Sequence, residues 1–82
     1  MEEFKPTPNH QEMYEIMKTN RQRILEIKEI VDDLGYYNAI QFLQFITNGA
    51  VDEEVATLMI DIATNLETFE KRHIMKIEIV LN

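Results

Sequence analysis

NHQEMYEIMKTNRQRILEIKEIVDDL, residues 9–34, is the stretch that decides the fold class. Its apolar residues fall at Met13, Met17, Ile24, Ile27, Val31 and Leu34, and with Asn20 included the steps alternate four and three. That alternation is a heptad seam along an α-helix. Ile16 and Ile30 widen the stripe on one flank. Asn9 has the chemistry of an N-cap, and Glu12 stands three residues on, as in a capping box. Gly35 follows the last seam residue, where left-handed backbone commonly ends a helix. A first helix is therefore expected over 9–34. Asn20 breaks the seam once, either as a buried residue that fixes register or as one at the wet edge of the stripe. Asp32 and Asp33 sit badly at the negative end of this helix and are read as helping to cap the next one.

Beyond Gly35 runs YYNAIQFLQFIT, residues 36–47. Asn38, Gln41 and Gln44 leave only a narrow polar stripe, so a second helix buried on several sides is expected, with Phe42 and Phe45 in the core. Tyr36 and Tyr37, at the junction, are read either as core or as interface anchors. Asn48-Gly49 ends the segment. A third helix is expected over 53–72, with Asp52 as N-cap, Glu53 and Glu54 in its first turn, and a seam of Val55, Met59, Ile62, Leu66 and Phe69. Residues 74–81 alternate in a way that suits a strand, yet nothing separates them from the helix before. They read as helix continuation or as a strand that pairs with a partner. At the other end, Pro6 and Pro8 mark residues 1–8 as a flexible tail. The expectation is an all-α, small three-helix domain spanning 9–82.

Composition narrows the chemistry. Among 82 residues there is no cysteine and no serine, which removes disulfides, thiolate zinc sites and both of those nucleophiles. Gly35 and Gly49 are the only glycines, so no phosphate-cradling loop is available. Fifteen acids against eight bases give a formal charge of −7. That disfavours direct nucleic-acid binding and anionic membranes, and permits a basic protein partner. No apolar run approaches the ~20 residues of a membrane span. Met1-Glu2-Glu3 lacks the start of a signal peptide, so a cytoplasmic protein is expected. Glu70-x-x-His73, with Glu67, has the spacing of a carboxylate metal site, but one such motif reads first as solvated charge at a helix end. Lys18, Arg21, Arg23 and Lys28, interleaved with Glu15, Glu26 and Glu29, read as a salt-bridged exposed face. Helices two and three resemble a helix-turn-helix in outline, but the acids at 52–54 stand where a recognition helix needs bases. No cofactor is expected.

A helix over 9–34 would be about 39 Å long and its neighbour about 18 Å. The start of the first seam and the chain beyond Phe69 would then overhang in opposite senses, which points to a homodimer or higher oligomer. The expected interface residues are Met13, Ile16, Met17, Asn20, Ile24, Tyr36, Tyr37, Ile74, Ile77 and Leu81. The functional expectation is a small acidic protein–protein interaction module, not an enzyme, acting as a regulator, adaptor or inhibitor. The alternative is an acidic nucleic-acid mimic of the phage or mobile-element type, using Asp32, Asp33, Asp52, Glu53, Glu54 and Asp61 against a DNA-handling or defence protein. A carboxylate-metal enzyme is the remote third reading.

Overall fold

The computed structural model describes residues 4–71, and over that span the chain is all-α. Helix α1 runs Pro8–Met17, a 3-10 turn covers Lys18–Asn20, and α2 runs Arg21–Leu34. Helix α3 is Tyr36–Ile46 and α4 is Glu53–Thr64. After Asn65 the chain is helical again over 66–71. Helix α4 lies at the centre, with α1, α2 and α3 all packed against it.

The cap of α1 lies two residues before the expected one. Thr7 is the N-cap, Pro8 takes the first helical position, and His10, not Glu12, closes the capping box. Proline suits that position because its missing N–H would have no partner there, and its fixed φ is already helical. Thr7 and Pro8, expected in the tail, thus belong to the start of α1. Phe4 packs edge-on to His10 at 5.3 Å between ring centroids and lies 5.9 Å from Phe69.

The expected 9–34 helix is broken. Asn20 leaves helical geometry at φ −127° and ψ 64°, between α1 and α2. Thr and Asn are weak helix formers whose side chains compete for nearby backbone groups, and Thr19-Asn20 places two of them in succession. The same dipeptide recurs at Thr47-Asn48, where α3 ends, and at Thr64-Asn65, where α4 ends. At that last break Thr64 Oγ1 donates to the Ile60 carbonyl at 2.9 Å, and Asn65 Nδ2 to the Asp61 carbonyl at 2.9 Å. The expected 53–72 helix is thus interrupted as well. Arg21, just past the first bend, donates to Glu70, just past the second, at 2.6 Å.

The bend at Asn20 lays α1 back across α4. Tyr14 stacks on Phe69 at 5.3 Å, and Met13 and Met17 pack against the core of the same chain. The overhang inferred from a straight helix is therefore covered in part, with Met13 and Met17 half-buried and Ile16 exposed, and Ile24, expected at an interface, is a central core residue at 1% exposure. The core joins Tyr14, Ile24, Ile27, Ile40, Leu43, Ile60, Ile62 and Phe69 around Ala39, Ala56 and Ala63. Small side chains such as these shorten the distance at which packed helices can pass. Truncating Ile24, Ile60 or Ile62 to alanine would cost about 2–5 kcal/mol each.

Gly35 ends α2 at φ 84° and ψ 166°, a region essentially reserved for glycine. Asp52 caps α4 as expected, accepting from the Val55 amide at 2.8 Å. Helix α3 has no side-chain cap, so Asp32 and Asp33 do not serve it.

Candidate interaction surfaces

Helix α3 carries no charged residue. Its inward side is Ala39, Ile40 and Leu43, all buried. Its outward side is Tyr37, Asn38, Gln41, Phe42 and Phe45, with Ile46 beside them. Tyr37 and Phe45 are each 80% exposed, and Phe42 is 38% exposed. The assignment of Phe42 and Phe45 to the core is thus overturned: a domain this small covers only one side of α3. Tyr36, 40% exposed, meets the Tyr37 ring edge-on at 5.8 Å. Taking ~200 Å² per aromatic side chain, these four rings present roughly 500 Å² of surface. Leu34 and Ile46 are also exposed. Asn38 and Gln41 interrupt this surface, and apolar exposure of that extent is often functional.

A second feature lies between α1 and α4. Two adjoining hollows of about 310 Å³ and 480 Å³ share Glu54 and Leu58 in their walls. Met13, Ile16, Val55 and Leu58 form an apolar floor, and Glu12, Glu53, Glu54 and Asp61 stand around it. Ile16 is 67% exposed there. No basic side chain other than His10 lines either hollow. The described bases that form ion pairs do so elsewhere, Lys18 with Glu15, Arg21 with Glu70 and Lys71 with Glu67.

His10 sits at one end of this groove, 9% exposed. The Thr7 amide donates to its Nδ1 at 3.0 Å, and an amide can only donate. The neutral ring therefore carries its proton on Nε2, which faces Asp61 Oδ2 at 2.8 Å. One imidazole thus closes the cap of α1 and ties it to α4. Nearby, burial pushes the Tyr14 hydroxyl above its ordinary pKa, and the Glu70 carboxylate adds to the effect.

The residues singled out from sequence fall into distinct places. Met13 and Met17 are half-buried, Ile24 is core, and Asn20 is an exposed residue at the bend and not part of a seam. Ile16, Tyr36 and Tyr37 are exposed, the first in the groove and the others on α3. Ile74, Ile77 and Leu81, the 74–81 segment and His73 lie outside the described residues. Glu67 and Glu70 are each engaged by a base, and among the described residues no group of three His, Cys, Asp or Glu is placed to hold a metal. No described helix is long and apolar enough to cross a membrane. Sequence reasoning missed Phe45 as a surface residue and the pairing of Glu12 with Glu53 and Glu54 across a groove. Compared with protein-family models, curated proteins and solved structures, the chain matches none.

Proposed function

We propose that this protein is a small acidic interaction module that works by binding other protein chains, as a regulator, adaptor or inhibitor, and that it self-associates through the outer face of α3. The observation that carries the reading is that aromatic, uncharged face on a chain of net charge −7. Between like-charged copies, a contact at α3 brings no acid of that helix against another and desolvates no charge there. Its roughly 500 Å² of aromatic surface, with Leu34 and Ile46 added, approaches the ~800 Å² per partner of a standard interface. A two-fold contact pairs the same face on both copies, so one self-complementary patch is enough. Of the expected interface residues this reading keeps Tyr37, with Tyr36 at the margin, and puts Phe42 and Phe45 in place of the Met13–Ile24 seam. Nothing favours the nucleic-acid mimic. Its acids Asp32, Asp33 and Asp52 are absent from the groove walls, and the other three surround an apolar floor that a phosphate mimic does not need.

Sedimentation equilibrium tests the proposal. At tens of micromolar the chain should exceed its 9.7 kDa monomer mass, and Phe45→Glu should return it to monomer with unchanged helical circular dichroism. A monomer across that range would remove the α3 contact.

A further inference from the structure

We infer that the groove between α1 and α4 is a docking site for a basic amphipathic helix of a partner protein. The inference rests on the reading of the chain as an interaction module, but on a different surface from α3.

The groove has the two features such a helix needs. Its floor is apolar and adaptable: Met13 and Leu58 are half-buried, Val55 flanks them, and Ile16 stands two-thirds exposed without a partner element above it. Methionine and isoleucine floors accept the i, i+3, i+4, i+7 anchors of a helix laid into them. Its edges are acidic on both sides, Glu12 from α1 and Glu53, Glu54 and Asp61 from α4. Glu12, Glu53 and Glu54 form no ion pair among the described residues. Like charges gathered around a low-dielectric cleft focus a negative potential into it, which attracts and orients cations. The length is set by the lining residues: on α4 they run from Glu53 to Asp61, about 12 Å along the axis, a little over two helical turns. The occupant is thus a helix that lays two to three turns in the groove, with an apolar stripe flanked by Lys or Arg. The same groove of a second copy is a poor occupant, because its α1 carries Glu12 and Glu15 and its α4 carries Glu53, Glu54 and Asp61.

The test uses the full chain and two synthetic peptides of about fourteen residues, long enough to span the groove as a helix. One holds leucines at i, i+3, i+4 and i+7 with lysines elsewhere. The other has the same residues scrambled so that no apolar face forms. The patterned peptide should bind with a micromolar dissociation constant in isothermal calorimetry, at least tenfold tighter than the scrambled one. Ile16→Asp and the triple change Glu12→Gln, Glu53→Gln, Glu54→Gln should each weaken it tenfold or more. All these side chains are exposed, and unchanged denaturation midpoints confirm that the fold survives. Amide shifts on titration should fall on residues 9–16 and 53–61. Phe45→Glu should leave peptide binding unchanged, so loss of self-association and loss of peptide binding are read separately. Equal binding of the two peptides, insensitivity to Ile16→Asp, or shifts confined to α3 would each overturn the groove assignment.

Discussion

His10 and Asp61 are the polar pair on which the packing of α1 against α4 turns. The ring is almost fully buried, its Nδ1 is committed to the Thr7 amide, and its Nε2 proton has Asp61 as its acceptor. A buried donor left without a partner costs about 1–3 kcal/mol, whereas a replacement acceptor recovers most of that. Asp61→Ala is therefore expected to lower unfolding free energy by about 1–3 kcal/mol, and Asp61→Asn by less, as read from urea midpoints. Equal losses in the two variants would mean that the hydrogen bond does not matter. Tyr14 gives the residue scale its pH dependence. Its hydroxyl ionises at higher pH in the fold than its ordinary value of 10.0, first because burial disfavours the anion and then because Glu70 repels it. Below pH 10 both states hold the proton and this stability is intact. As pH rises further the unfolded chain ionises first, and stability falls until the folded hydroxyl ionises too. Urea midpoints between about pH 8 and pH 11 should fall more steeply in the wild type than in Tyr14→Phe, given the ordinary range of tyrosine titration. Parallel curves would place the alkaline sensitivity elsewhere.

At the scale of elements, the apolar periodicity carried the helical assignment and the breaks decided how the helices lie. The heptad steps from Met13 to Leu34 correctly announce helix, because side chains three and four apart share a face whether or not the axis stays straight. They do not encode straightness. Thr19-Asn20 was legible as a break, since both residues compete with the helix for backbone hydrogen bonds, and so was Thr64-Asn65. Read as punctuation, these dipeptides reduce the long overhang and put Met13 and Met17 over the same molecule's core. Thr7-Pro8 was equally legible as a cap followed by a first-turn proline. Phe45 was not legible. Whether an apolar helix is covered on one side or three depends on how many neighbours the chain supplies, and pattern along α3 alone does not contain that number. The acidic groove was hidden for a related reason: Glu12 and Glu54 are distant in sequence and meet only once α1 has folded back. Gly35 and the Asp52 cap were local, depend on no neighbour, and stand where the sequence put them.

For the molecule as a whole, one proposed contact is uncharged and the other is ringed by acids, and that difference makes the two respond to salt in opposite ways. Copies of a −7 chain repel at long range, while α3 itself contributes no charge to their contact. Raising ionic strength shortens the Debye length from about 30 Å at 0.01 M to about 8 Å at 0.15 M, so the repulsion fades and the apolar contact remains. Self-association should therefore tighten as salt rises. The groove works the other way, because its acids attract a cationic helix across solvent and the same screening weakens that pull. Sedimentation and peptide titration over about 0.01–0.5 M sodium chloride should give dissociation constants with slopes of opposite sign. A dimer that loosens with added salt would mean that ion pairs, such as exposed Arg23 or Lys28 against the acids of the second copy, hold it together. In that case the aromatic face of α3 would be left without its partner, and its lack of charge would have another cause.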